Sequence, residues 1–234
     1  MASTARSGSG DVSGSDTLSE RAANLVEQDI IAGVHAPGAR LGIIDLVQRY
    51  DIGATPLREG LSRLISRGLI VGIGQRGFRV ADVSREDLED ITRIRTVIEI
   101  EALRLAMTQG DDAWEAGILS ALHQMRRHIQ RTGDEFHEGA PDFDKLHKAF
   151  HTSLLAACGS KRLLTAHSDL YDQAYRYRRV MMRALGSGEE FITVHQSLAD
   201  RVLARDLDGA PAMLASHLHS TLDYVYPPTK GDAS

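Results

Sequence analysis

Thr55-Pro56-Leu57-Arg58-Glu59-Gly60-Leu61, followed by Leu64 and then by Gly68-Leu69-Ile70, is the stretch on which the fold turns. Thr55 is placed to cap a helix whose first position is Pro56, and Glu59 sits near the positive end of the helix dipole. Leu57, Leu61, Leu64 and Ile65 share one stripe of that helix; Thr55, Glu59, Ser62 and Arg63 point away from it, with Arg58 at its flank. Gly68 supplies the stop. Leu69–Ile73 and Phe78–Val80 can pair as strands across Gly74-Gln75-Arg76-Gly77, with glycine available for positive φ and Arg76 at the tip. A short helix followed at once by a hairpin is the second half of a winged helix-turn-helix.

The first half lies upstream. Leu18, Ala22, Leu25, Val26 and Ile30 recur at helical spacing within residues 17–33, and Gly33 ends the run. Pro37-Gly38 marks a turn before Arg40 and Leu41, a second helix runs near Ile43–Tyr50, and Asp51-Ile52-Gly53-Ala54 leads into the third. From Ser84 the pattern is helical throughout. Ser84 with Asp87 resembles a capping box with Asp in place of Glu. Helices are predicted near 85–108, 112–131, 142–158, 160–185, 188–206 and 208–225, broken at Gly110-Asp111, Gly133, Pro141, Gly159, Gly186 and Asp208-Gly209. The expected class is mainly α: an N-terminal winged helix-turn-helix plus a C-terminal antiparallel all-α bundle. The expected divisions are a disordered tail over 1–16, a head over 17–82, a bundle over 83–226 and a tail over 227–234.

Apolar residues at 42% and charged residues at 25% are ordinary for a globular chain. No run of eighteen apolar residues offers a membrane span, and the Ser/Gly-rich first sixteen residues lack the apolar core of a secretory signal. The single cysteine, Cys158, cannot make an internal disulfide, which suits a reducing cytoplasm; its neighbours Leu155, Ala156 and Ala157 read as a buried, structural thiol. Net charge is −5, yet residues 49–80 hold six arginines (Arg49, Arg58, Arg63, Arg67, Arg76, Arg79) against Asp51 and Glu59. Fields are local at physiological salt, so a basic patch on an acidic body can still anchor phosphates.

A helix fits the major groove, and residues at its N-terminal end reach base edges. Thr55 and Arg58 occupy that end; Arg40, Arg63 and Arg67 are expected on phosphates, and the wing through Arg76 and Gly77 on the minor groove or backbone. The alternatives are a solvated arginine face or a winged helix used for protein contacts. The run from Leu41 through Asp45-Leu46, Ile52, Thr55–Leu61, Leu64, Gly68–Ile70 and Arg76-Gly77-Phe78-Val80 resembles the N-terminal domain of GntR-family bacterial transcription regulators. The helical remainder resembles the effector-binding (FCD) domain of their FadR-type branch, so the resemblance covers about residues 17–226. It implies a base-contacting role for Arg58 and a wing-tip role for Gly77. Many members carry Ser or Thr followed by Arg where this chain has Gly53-Ala54, so a second DNA-contacting arginine is missing at Ala54.

His147 and His151 lie four apart on one predicted helix face, and His195 and His217 lie on two later helices. Four imidazoles, or three plus water, suit a borderline divalent ion such as Zn²⁺ or Ni²⁺; ordinary core or surface histidines are the alternative. Metal-holding members of the resembled branch carry Asp-x-x-x-His on one helix and a His on each of the last two. His151, His195 and His217 match three of those ligands, and His147 stands where the aspartate would be. Arg95 resembles an arginine that points into the ligand pocket, where it would suit a small carboxylate; the alternative is an Arg95–Glu99 pair along a helix face. Arg176 and Arg178, interleaved with Tyr175 and Tyr177, are further pocket candidates; the alternative is that they are simply the polar side of that helix. His35, His123, His128, His137, His167 and His219 fit no constellation. The expected protein is a cytoplasmic homodimeric regulator, more often a repressor than an activator, that binds double-stranded operator DNA under the control of a small organic acid. A metal-dependent hydrolase and a direct metal sensor are the alternatives.

Overall fold

The structure is a computed structural model that describes residues 17–74, 77–136, 140–181 and 187–227. The expected N-terminal tail, Gln75 and Arg76 of the wing, His137 and the break at Gly186 lie outside the described residues. The N-terminal half holds α1 (Leu18–Ile31), β1 (Arg40–Leu41), α2 (Ile43–Tyr50), α3 (Ala54–Ser66), β2 (Ile70–Gly72) and β3 (Phe78–Val80). Thr17 caps α1: its hydroxyl accepts from the Glu20 amide, and Glu20 reaches back to the Thr17 amide at 2.9 Å. Ala22, Val26 and Ile30 of α1 pack with Leu46, Leu57, Leu61 and Leu64 in one core. Gly60 lets α1 and α3 touch, because a Cβ there would lie 2.8 Å from both the Ala23 nitrogen and the Ser19 oxygen.

Three details differ from the sequence expectation. The cap of α3 is Gly53, not Thr55, and Pro56 is the third helical residue. Proline costs nothing there because the first four helical amides have no intrahelical partner. Ile65 is exposed rather than in the core stripe, and it lies beside Gly72 of the wing. The wing is also a three-stranded sheet of order β1-β3-β2, in which Arg40 and Leu41 pair with Arg79 and Phe78. Gly68 follows α3 at φ +68°, the left-handed conformation its role as a stop requires.

The C-terminal half is an antiparallel bundle of α4 (Arg85–Gln109), α5 (Asp112–Thr132), α6 (Pro141–Leu155), α7 (Lys161–Met181), α8 (Gly188–Leu203) and α9 (Gly209–Val225). Ser84 caps α4 by accepting from the Asp87 amide, but the reciprocal half of a capping box is not made. Leu103, Ile118, Phe143, Phe150, Leu154, Leu198 and Leu214 lie in the main core, with Cys158 buried beside them. A smaller core of Leu88, Ile91, Tyr177 and Val225 closes the junction of α4, α7 and α9. Among the described residues no helix is long and apolar enough to cross a membrane.

Candidate metal centre and nucleic-acid interface

The 3.6-residue period of α6 stacks His147 and His151 on its inward face, and α8 and α9 bring His195 and His217 against them. The Nε2 atoms of His147 and His195 are 2.9 Å apart, those of His147 and His151 2.9 Å, and those of His151 and His217 3.2 Å. One ligand atom from each of the four lies within 4.8 Å of all the others. Nitrogens around a tetrahedral ion with bonds of about 2.05 Å are separated by about 3.3 Å, so the three close pairs are within a few tenths of an ångström of ligand spacing, while the wider separations, up to 4.8 Å, would have to close around the ion.

The surroundings fix which nitrogen faces inward. His195 Nδ1 donates to the Phe191 carbonyl at 2.7 Å, which leaves the Nε2 lone pair pointing at the centre. Tyr171 donates to Asp144 at 2.9 Å and lies 3.1 Å from His147 Nδ1, so its oxygen can accept from that ring. Arg178 also approaches His147 Nδ1, at 3.0 Å, and sits 3.5 Å from Asp144. A guanidinium only donates, so Arg178 and Tyr171 ask opposite things of that nitrogen. His151 Nδ1 is buried without a hydrogen-bond partner. One neutral His147 cannot donate through Nε2 to both His195 and His151. A cation at the centre satisfies all four lone pairs at once, so the donor set fits a divalent ion.

Burial, and then the neighbouring imidazoles, hold His147 and His151 well below the usual histidine range. Burial and His195 do the same for His217. Burial holds His195 down to about 4, against the Phe191 hydrogen bond. The four are therefore neutral at pH 7, the state that ligates. Burial pushes Asp144 up to about 6, although Arg178 and Tyr171 oppose it.

A cavity of about 120 Å³ opens onto this cluster, lined by His147, His195 and His217, with Arg178, Glu190 and Tyr224 among its other walls. Arg178 thus stands where a bound carboxylate would meet it. Arg95 does not line the cavity. It is buried in an ion pair with Glu99 (2.7 Å), beneath the Tyr171 ring, and only its charge reaches His151 and His217. Glu99 also takes His167 at 3.1 Å; burial would raise this carboxyl, but Arg95 and His167 hold it below its ordinary range. His167, which fits no sequence pattern, is therefore part of the buried polar shell.

Arg176 belongs to a different contact from the one expected: it donates to the carbonyls of Leu69 and Asp82 in the wing. Helix α7 in fact has two polar faces. His167, Tyr171 and Arg178 serve the histidine cluster or its shell, while Asp169, Asp172, Gln173 and Arg176 grip the head. The grip centres on Arg67, just after α3, which pairs with Asp169 (2.9 Å), Asp172 (2.9 Å) and Glu27 of α1. Lys148 of α6 completes the knot on Asp172 at 2.6 Å.

That knot corrects the expectation that Arg67 meets phosphate. Of the other basic residues in the head, Arg49 is tied to Asp29, Arg63 to Glu20 at 3.1 Å and Arg79 to Asp82. Arg63 remains exposed. Thr55, Arg58 and Arg40 are exposed, and neither Arg58 nor Arg40 makes an ion pair among the described residues. Gly77 has φ +101°, open to glycine alone at no cost, and Arg76 lies outside the described residues.

Residues 18–80 match the bacterial regulatory proteins of the gntR family, and residues 90–220 match the FCD domain. The chain belongs to the GntR family. It is 34% identical over 204 residues to the HTH-type transcriptional repressor GlaR of Escherichia coli K12, covering 86% of this chain and 92% of that protein. It is 32% identical over 209 residues to an uncharacterized HTH-type transcriptional regulator, BphR, of Paraburkholderia xenovorans LB400, covering 89% and 85%. The fold is similar to that of E. coli McbR/YncC, with TM-score 0.76 and 21% identity over 91% of this chain and 98% of that one. This GntR-family chain is a transcription regulator of the FCD type and not an enzyme, which sets the hydrolase alternative aside.

Proposed function

We propose that the protein is a homodimeric repressor in the cytoplasm whose operator affinity is set by a small organic acid bound at a divalent ion in the bundle. Its division of labour follows the expected boundaries, with a DNA-reading head over 17–82 and a sensing body over 83–226. Arg58 and Thr55 would read base edges, Arg40 and Arg63 would hold phosphates, and Gly77 with Arg76 would carry the wing along the backbone. His147, His151, His195 and His217 would hold the ion, with Zn²⁺ favoured by the all-imidazole donors and Ni²⁺ also suited. When bound, such an ion supplies a Lewis-acid anchor for one carboxylate oxygen.

The observation that carries this reading is the double duty of α7. A carboxylate in the cavity offers Arg178 a better partner than His147 Nδ1, so the guanidinium leaves that ring to Tyr171. Tyr171 and Arg178 share their helix with Asp169, Asp172 and Arg176, which hold Arg67 and the wing. A small displacement of α7 therefore reaches the end of α3 without an intermediate element. Arg95 acts here through its field and through its fixed pair with Glu99, not by touching the acid. A change of five- to 150-fold in operator affinity requires about 1–3 kcal/mol of such coupling.

Fluorescence anisotropy on promoter DNA, with metal-loaded and chelated protein and a panel of dicarboxylic and hydroxy acids, tests the reading. Weakened DNA binding that needs both acid and metal is expected. Affinity that follows metal alone would make the protein a direct metal sensor. Affinity indifferent to both would remove the sensing role.

A further inference from the structure

We infer that Glu190 selects the tail of the bound acid, so that the effector is a short monocarboxylate ending in a hydroxyl or an ammonium group rather than in a second carboxylate; this rests on the acid-sensing reading above. The cavity over the histidine cluster is walled by two helix faces. On α8, Ser187, Glu190, Phe191, Val194 and His195 recur at three- and four-residue spacing, and on α9 so do His217, Ser220, Thr221 and Tyr224. Glu190 stands five residues before His195, about 7.5 Å along α8, and Tyr224 stands seven residues after His217, about 10.5 Å along α9. The cavity therefore has a floor of imidazoles and a mouth between one and two helical turns away.

The two ends carry opposite charge. Among the described residues that wall the cavity, Arg178 is the one guanidinium or ammonium, and it sits at the floor, 3.0 Å from His147. Glu190 is the one carboxylate; it is exposed at the mouth and makes no ion pair among the described residues. Between the ends lie Val194 and the Phe191 ring, stacked 4.0 Å from that of His195, and both suit methylene groups. The mouth adds the hydroxyls of Thr221 and Tyr224. A ligand with one carboxylate on the floor cannot set a second one beside Glu190 without bringing like charges together, whereas a hydroxyl or ammonium group donates to it. The positive end of the α8 dipole does not reverse this: Glu189 and Glu190 both lie in its first turn, and Ser187 already caps the Glu190 amide. A hydrogen bond of about 3 Å at the tail leaves room for a short chain only.

Titration calorimetry on the zinc-loaded full chain tests the inference with acids matched in length. The probes are propanoate, 3-hydroxypropanoate, β-alanine and malonate, together with their four-carbon counterparts. At either length, the hydroxyl- and ammonium-ended acids should bind wild type at least threefold more tightly than the methyl- and carboxylate-ended ones. Glu190→Gln should cut the preference for ammonium over methyl at least threefold, and Glu190→Lys should turn the preference towards the diacid. Glu189→Gln, in the same turn but outside the cavity, should keep the wild-type ratios. Thermal unfolding, and zinc content measured after each titration, check that every variant is folded and loaded. A wild type that prefers the diacid, or a tail preference that survives both Glu190 substitutions, would overturn the assignment and leave the acid-sensing reading standing. If no acid of either length binds the loaded protein, that reading fails and the assignment falls with it.

Discussion

Replacing Arg67 by methionine isolates the link between head and body, because methionine keeps the stem and removes the charge. The Arg67 side chain is 27% exposed, and those of its partners Glu27 and Asp172 are 12% and 8% exposed. Removing one member of a buried ion pair costs about 3–5 kcal/mol. Two features pull this case below that range. Asp172 keeps Lys148 at 2.6 Å, and Glu27, already pushed up by burial despite Arg67, can take a proton rather than remain a naked charge. The expected loss is about 2–3 kcal/mol at pH 7. Urea unfolding measures it, followed by circular dichroism and by the fluorescence of Trp114, the single tryptophan, which is buried in α5. Adding Glu27→Gln should return at least about 1 kcal/mol, since the orphaned carboxylate is then gone. Hydrogen exchange in α1 and α3 should rise while the α5–α8 core stays protected. A loss under about 0.5 kcal/mol, the range of a neutral surface change, would refute the idea that this knot joins the two halves. So would a double variant no more stable than Arg67→Met alone.

Arg58, nine residues earlier in sequence, should behave in the opposite way. Arg58→Ala should leave stability within about 0.5 kcal/mol but cost about 1–3 kcal/mol of operator binding, read by anisotropy against scrambled DNA. Gly60→Ala places a Cβ 2.8 Å from α1 backbone, so it should destabilise the head by about 1–3 kcal/mol in thermal unfolding although alanine is the better helix former. For the metal centre, His151→Ala should abolish high-affinity zinc retention, measured by elemental analysis after dialysis, with helicity preserved. The pH dependence of the metal-free protein follows from His195. Its native pKa of about 4 lies below the ordinary 6.5, so the unfolded chain binds the proton first. Its contribution is complete above pH 6.5 and is lost as pH falls towards 4, at about 1.4 kcal/mol per pH unit. A midpoint of unfolding unchanged between pH 7 and 5 would contradict that.

Much of the site was readable along the chain because it repeats with the helix. The four-residue spacing of His147 and His151 needs no tertiary information to share a face, and the leucines of α3 declare its buried side. His195 and His217 were candidates from their place on two later helices, and the resemblance to metal-holding relatives is what tied them to the pair. The supporting shell was not legible. Nothing local marks His167, Tyr171 or Asp144, and their roles arise only when α7 lies against α6. One signal was present: Lys161–Met181 carries charged residues well beyond one exposed face, on both flanks of its apolar strip of Leu163, Leu170, Ala174 and Tyr177.

Linear order by itself determined the two halves, the short helix with its exposed Arg58, and the histidine pair, since each depends on contacts within a few residues. Which cations are spent and which remain free was decided only by folding. Arg67 and Arg176 look like Arg58 in sequence, yet partners about a hundred residues away claim them. Charge pairing depends on distance through space, and a buried carboxylate such as Asp172 commits any arginine brought beside it. Local periodicity contains no record of that distance.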